Sequence, residues 1–237
     1  MPNFTTRSND IEIMDDLNCQ GEVVDQTLRE LEVINKLLGG NYVTIDGIEK
    51  LLKSKNVSTP ISVCDLGCGG GDILRLIAQW ANQKNKSLNL TGIDANPNIV
   101  RFANDNCKDH PQIEFEAVDI FSDQFKSRKY DIIIGTLFFH HFTSEQLISF
   151  FKQVKRQAAV GVVINDIHRH WFAYYSIKLL TFIFSRSTMV KFDAPLSVLR
   201  AFKKKELIYI MQQAGIENYT IKWMWAFRWQ LCIKTLA

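Results

Sequence analysis

The sequence predicts an α/β fold, a doubly wound and mostly parallel sheet of seven strands with an antiparallel hairpin at one edge. Three observations carry this. Five short runs rich in Val and Ile alternate with stretches whose apolar residues recur at three and four. Two further strand-like runs at the C-terminus are separated by almost nothing, which requires an antiparallel pair. A glycine-rich turn follows the first strand, at the sheet edge where such folds bind ligands.

The first element is a helix in DQTLRELEVINKLL, with an apolar stripe through Leu28, Leu31, Ile34, Leu37 and Leu38 and a stop at Gly39 and Gly40. It covers the ligand crevice or braces the domain. From Ile61, the runs ISVCDL, LNLTGID, IEFEAVD, YDIIIGT and AVGVVIND are strands, each of a length and composition suited to burial on both faces. Between them, DILRLIAQWANQ, NIVRFANDNC and SEQLISFFKQVKRQA have helical periodicity and supply the crossovers that parallel strands need. An aromatic tract, WFAYYSIKLLTFIFS, follows the fifth strand. A helix from Lys205 to Ala214 and the pair YTIKWMW and FRWQLCIK close the chain. The expected organisation is one domain over residues 1–237: an N-terminal helical cap (1–58), a ligand-binding core (59–167), a helical lid insertion after strand five (168–202), and a C-terminal helix and hairpin (203–237).

Composition narrows the function. The chain has 237 residues, 46% hydrophobic and 22% charged, which is a globular balance able to bury a large core. Its formal charge is +3, and the longest basic run is Lys203, Lys204 and Lys205, so nothing suggests a nucleic-acid partner. The five cysteines (Cys19, Cys64, Cys68, Cys107 and Cys232) form no Cys-x-x-Cys pair and no metal-ligand spacing, which predicts reduced thiols in a cytoplasmic protein and no bound metal. No signal-peptide core and no window of roughly 18 apolar residues is present, so stable membrane insertion is not expected.

The glycine turn reads VCDLGCGGGD. Gly67, Gly69 and Gly71 form G-x-G-x-G, whereas the dinucleotide fingerprint needs its third glycine where this chain has Asp72. The phosphate-loop signature needs a Lys and a hydroxyl residue that are also absent. Asp65 and Asp72 flank the turn without a cation, so it would repel a pyrophosphate and favour a positively charged cofactor. The stretch resembles the first motif of the class I S-adenosylmethionine-dependent methyltransferases, whose fold is Rossmann-like. Three later segments agree with that family. The resemblance implies that Asp65, Gly67, Cys68 and Gly69 border the cofactor. It implies that Asp94 and Ala95, in LTGIDANP, hold the ribose, and that Asp119 and Ile120, in EFEAVDIF, hold the adenine. YDIIIGTLFFHHF resembles the fourth motif and puts Thr136 beside the methyl group. The implied cofactor is S-adenosylmethionine, with S-adenosylhomocysteine as product.

Transfer of a methyl group from a sulfonium requires alignment, and an oxygen acceptor must also lose its proton. A histidine, with pKa about 6.5, suits that task. His140 and His141 lie just past the fourth strand, and Asp166 and His168 just past the fifth, so these four are the candidate catalytic residues. For the acceptor, Arg169, Trp171, Tyr174, Tyr175 and Arg186 are the candidate contacts, in a tract that could be lid, core or a peripheral membrane contact. EIMDD, INKLLGG and the stretch from DIHRHW to LSVLRAF also resemble a bacterial methyltransferase subgroup often found with type III polyketide synthases, which implies phenolic or polyketide-derived acceptors and adds Arg200 as a contact. The expected function is O-methylation of a small apolar or phenolic metabolite. The alternatives are a quinone-type C-methyltransferase and a non-catalytic, cofactor-binding regulatory protein.

Overall fold

In the computed structural model, residues 2–53 and 60–235 are described, so the expected boundary at 58/59 and the chain ends lie outside the described residues. Helices α1 (Glu22–Leu37) and α2 (Gly40–Leu52) precede β1 (Ile61–Leu66), α3 (Asp72–Gln83), β2 (Leu88–Asp94), α4 (Pro97–Asn106) and β3 (Ile113–Ala117). The chain continues through α5 (Asp123–Lys126), β4 (Tyr130–Thr136), α6 (Ser144–Val154) and β5 (Ala158–Ile167). It ends with α7 (Trp171–Phe184), α8 (Thr188–Arg200), α9 (Lys204–Gln213), β6 (Tyr219–Met224) and β7 (Arg228–Lys234). The seven strands lie in the order β3-β2-β1-β4-β5-β7-β6, parallel except for β7, which runs antiparallel to both neighbours.

Burial on both faces explains the continuous apolar strands. On one side, Ile48 and Leu51 of α2 and Leu74 and Ile77 of α3 pack with Val63, Ile132 and Val163. On the other, Phe150 and Phe151 of α6 and Ile210 and Met211 of α9 pack with Cys64, Ile133 and Val162. Consecutive strand residues thus serve opposite cores, as a period of two requires. Edge strand β6 instead alternates between half-buried and exposed residues, since only one of its faces is covered.

The expected helix stop at Gly39 is a corner. Gly39 has φ +68°, a left-handed conformation that glycine adopts without a Cβ penalty, and Gly40 opens α2 immediately. This second helix is not among the elements expected from the sequence, and its buried face carries Val43, Ile48, Leu51 and Leu52. It lies so close to the sheet that a Cβ on Gly47 would come within 2.4 Å of Val163. The insertion after β5 is a pair of packed helices, α7 and α8, and a small cluster of Val24, Leu28, Ile99 and Met189 joins α1, α4 and α8 above the carboxyl ends of the strands. The hairpin turn between β6 and β7 places Ala226 and Phe227 at φ +58° and +55°, at that same edge beside the end of β5.

Candidate active site

A cavity of about 1290 Å³ opens above the carboxyl edge of the sheet, between the strand ends and the cap of α1, α7 and α8. It is larger than the few hundred to 1,000 Å³ typical of one ligand, so it has room for a cofactor and an acceptor. The glycine turn forms its floor. Gly67 and Gly69 both have positive φ, and a Cβ on Gly67 would strike the Phe138 ring at 2.1 Å, whereas at Gly69 the nearest atom would be 3.7 Å away. Gly69 therefore leaves an open cradle in which backbone can approach a ligand.

Acids surround that cradle. Asp94 accepts from the amides of Asn96 at 3.0 Å and Gly69 at 3.4 Å, and burial raises its pKa. Asp65 Oδ1 and Asp72 Oδ2 are buried without a hydrogen-bond partner. Burial pushes the Asp72 carboxyl up to about 6, and burial together with Asp72 and Asp94 pushes Asp65 well above the ordinary carboxylate range. Each carboxylate thus keeps a buried oxygen without a donor, which a positive charge would stabilise. An ammonium or sulfonium fits them, and a phosphate does not. Cys68, Ala95, Ile120 and Thr136 also line this part of the cavity, as does exposed Asp119, whose Oδ1 accepts from the Phe121 amide at 2.9 Å.

The acceptor side is built around His140, which is 2% exposed. Its Nδ1 lies 2.7 Å from Asp166 Oδ1, and its amide donates to Asp166 Oδ2 at 3.1 Å. Burial opposes ionisation of Asp166, but the field and hydrogen bond of His140, with the Ile167 amide, hold its pKa below the usual value. An ionised Asp166 accepts only, so Nδ1 carries a proton, and in the neutral ring Nε2 is the acceptor. That Nε2 is buried with no partner, and Glu12 Oε1, equally unpartnered, lies 3.6 Å from it.

Glu12 belongs to an N-terminal strap that spacing along the sequence could not connect with the histidines. Asp193 of α8 accepts from the amides of Ile13 and Met14 at 2.8 and 3.1 Å, and Asn96 donates to the Cys19 carbonyl at 3.0 Å. Arg7 donates to the carbonyls of His140 and Phe142, both at 2.8 Å, which fixes the loop after β4. His141 Nδ1 meets Asp15 at 2.6 Å, and Arg200 also binds Asp15 and donates to the His141 carbonyl at 2.7 Å. Burial opposes ionisation of Asp15, but these two partners hold its pKa far below the ordinary range. Burial pushes the Glu12 carboxyl up to about 7. Glu12, His140 and His141 bring three ligand-type atoms within 4.8 Å of one another, but Arg200 at 3.6 Å from Glu12 already supplies a cation there.

His140, His141 and Arg200 line the cavity, and Asp166 stands directly behind His140. His168 does not line it: the ring packs against Trp229 at 4.8 Å, and burial, then His170, Lys203 and Arg169, lowers its pKa. Arg169 is 1% exposed and ion-paired to Glu206, with bonds to the carbonyls of Phe4, Thr5 and Ala201, so it ties the N-terminus to α9 rather than meeting an acceptor. Trp171 and Tyr175 point to solvent, Tyr174 packs on Phe4 at 5.6 Å, and Arg186 is exposed at the corner between α7 and α8. The helical period accounts for these positions. Phe172, Ala173, Ser176, Ile177 and Leu180 form the side of α7 that faces the cavity.

A family model described as a methyltransferase domain matches residues 63–161. With the sheet order and the acid-rimmed glycine turn, it identifies residues 63–161 as a methyltransferase domain of the class I, S-adenosylmethionine-dependent kind. Among curated proteins, phosphoethanolamine N-methyltransferase of Plasmodium falciparum (isolate 3D7) is 31% identical over 107 residues, 44% of this chain and 38% of that protein. Among solved structures, the plantazolicin methyltransferase BpumL, in complex with a triazolic desmethylPZN analog and SAH, matches with TM-score 0.65 at 18% identity over 88% of this chain and 90% of that one. A SAM-dependent methyltransferase from Aquifex aeolicus matches with TM-score 0.61 at 16% identity over 90% and 98%. The CMeT domain of the citrinin polyketide synthase matches with TM-score 0.61 at 13% identity over 82% and 52%. These likenesses establish the fold. Among the described residues, no helix is long and apolar enough to cross a membrane.

Proposed function

We propose that the protein O-methylates a small phenolic or similarly acidic hydroxyl metabolite, with His140 as general base, Asp166 as its positioning partner, and Glu12 as a second contact to the reacting oxygen. The observation that carries this reading is the unpartnered, buried Nε2 of His140, in a side chain that is backed by Asp166 and lines a cavity of ligand size. Cofactor contacts are assigned to Asp65, Gly67, Cys68, Gly69, Asp72, Asp94, Ala95, Asp119, Ile120 and Thr136. When bound, S-adenosylmethionine supplies a methyl group on a sulfonium, already activated for displacement.

The chain's own work is alignment and proton transfer. An acceptor hydroxyl seated against both His140 Nε2 and Glu12 Oε1 would give its proton to a neutral Nε2, Asp166 would stabilise the resulting imidazolium through Nδ1, and the oxygen would take the methyl group as the sulfonium C–S bond breaks and the thioether leaves. A protonated Glu12 donates to the same oxygen and fixes its direction of approach. Phe172, Ile177 and Leu180 provide an apolar wall that suits an aromatic or alkyl body. The five cysteines are free thiols, which supports a reducing, cytoplasmic location.

Mass-spectrometric screening of phenols and quinones for the gain of one methyl group tests the activity. With a confirmed acceptor, Asp166→Asn and His140→Gln should each lower kcat/KM by roughly 10² to 10⁴ and remove the neutral-range limb of the pH profile, while cofactor binding by calorimetry is kept. Wild-type rates in both variants overturn the base assignment. A product methylated on carbon assigns the same dyad to C-methylation instead.

A further inference from the structure

Helix α7 is apolar on both sides. Its inner residues line the cavity, while Trp171, Tyr175, Leu179 and Phe182, spaced four, four and three apart, form a stripe on the opposite side that is 56%, 51%, 60% and 74% exposed. Ile183 and Phe184 extend that stripe at the C-terminal end of the helix. A helix that is hydrophobic all round is normally covered. Among the described residues, nothing of this chain covers the outer stripe.

The charges around it indicate what does. From Ile167 to Phe192 the sequence contains Arg169, Lys178, Arg186 and Lys191 and no Asp or Glu. Arg169 is buried, but the other three are exposed. Lys178 and Lys191 border a shallow groove of about 360 Å³ whose remaining walls are Tyr175, Leu179, Thr181 and Phe182. A second copy related by a two-fold axis would bring these cations against their own equivalents, with no carboxylate in the segment to meet them. An anionic surface with an apolar layer beneath it satisfies both features at once. The patch is also continuous with the cavity mouth, since Trp171 meets Phe172 at 5.6 Å, and Phe172 and Phe227, 5.8 Å apart, both line the cavity.

We propose that α7 docks flat on an anionic lipid bilayer, its aromatic stripe in the headgroup layer and Lys178 and Lys191 on lipid phosphates, so that the cavity behind α7 takes its acceptor from the membrane. The helix has 14 residues, about 21 Å at 1.5 Å per residue, which suits lying in the interface plane rather than crossing it. Lysines beside such a stripe bury their aliphatic stems and keep their ammonium groups at headgroup level.

The test is co-sedimentation of the full chain with vesicles of phosphatidylcholine alone and of phosphatidylcholine with phosphatidylglycerol, with light scattering of the free protein in parallel. Binding is expected to the anionic vesicles and to weaken with salt. Leu179→Glu with Phe182→Glu should abolish it, and Lys178→Gln with Lys191→Gln should weaken it by on the order of fivefold per lysine. Melting temperature and S-adenosylmethionine affinity should stay unchanged in both, because none of the four residues lines the cavity. Failure to pellet with anionic vesicles, retention of wild-type binding by the glutamate variant, or a dimer that the glutamate variant dissociates would each overturn the proposal. Vesicle binding is read without methyl transfer, so this result stands or falls separately from the proposed reaction.

Discussion

Replacing Glu12 with glutamine keeps the shape of the side chain and an acceptor for Ser197 Oγ, which donates to Glu12 Oε2 at 2.9 Å, but removes an ionisation that burial opposes. In the folded protein the carboxyl titrates at about 7 instead of 4.5, despite the nearby His141 and Arg200. The folded state therefore holds a proton that the unfolded chain releases once pH passes 4.5, so stability falls as pH rises from there to about 7 and then levels off. Over that interval the loss is about 3 kcal/mol, at 1.36 kcal/mol per tenfold change in proton affinity. Glu12→Gln lacks this loss. At pH 8 the variant should be the more stable protein by up to about 3 kcal/mol, or roughly 6 to 12 °C in Tm for a chain of this size, and at pH 4 the two should nearly coincide. Thermal and urea denaturation at both pH values measure the difference, and titrating groups remote from Glu12 cancel between the two proteins. A variant less stable than wild type at pH 8 refutes the reasoning, because Glu12 would then be ionised and held by Arg200 at 3.6 Å. If Glu12 also contacts the acceptor, the gain in stability should accompany a loss in kcat/KM.

Three further outcomes follow from the structure. Asp94→Ala should weaken S-adenosylmethionine binding at least tenfold in calorimetry, and wild-type affinity should fall about tenfold between pH 7 and pH 5, because Asp72, titrating near 6, must release its proton to meet a cation; a flat pH profile or an unchanged Kd for the variant would contradict the acid cradle. Ala226→Gly should stabilise the hairpin by roughly 1 kcal/mol, since an L-residue in the left-handed region carries a penalty that glycine avoids, and an unchanged or lower Tm would show that the cavity-lining methyl contributes more than that strain.

Much of the fold was legible because the parallel sheet is buried on both faces, so its strands stand out as aliphatic runs with acids or glycines at their ends. The gathering of Asp65, Gly69, Asp94 and Asp119 at one rim was readable for the same reason, since they occupy strand ends that the chain order brings together. The acceptor side was not. Glu12 and Asp15 reach His140 and His141 across more than 120 positions, through a strap held by Asp193 and Arg200, and no local period encodes such a contact. His168 and Arg169 misled because proximity to a strand end says nothing about direction. Both follow β5, yet one ring turns to Trp229 and the guanidinium turns to Glu206. In α7 the abundance of aromatics concealed two faces, and the residues that reach the cavity include the small Ala173 and Ser176 alongside Phe172.

The carboxyl edge of the sheet carries an aspartate at or just beyond the ends of β1, β2, β3 and β5, and their surroundings give the four different chemistry. Asp65 is buried with one oxygen unpartnered and other acids nearby, so it holds its proton until a cation arrives. Asp94 is aimed by two backbone amides and keeps both oxygens at the rim, where a pair of hydroxyls can be held. Asp119 is exposed, and its carboxylate shapes its own turn through Phe121. Asp166 is fully buried but meets an imidazole, which holds its pKa down, and its contact with Nδ1 leaves Nε2 as the ring nitrogen without a partner. Acids of one type at equivalent positions thus differ because burial raises the pKa values of Asp65 and Asp94 while His140 holds that of Asp166 down, and the division proposed between cation binding and proton management rests on that difference. A glutamate on a strand-end loop would not reproduce this division. Its longer side chain would carry the carboxylate past the amides at Gly69 and Asn96 or past the His140 Nδ1, and Asp94→Glu and Asp166→Glu should each lose function while keeping their charge.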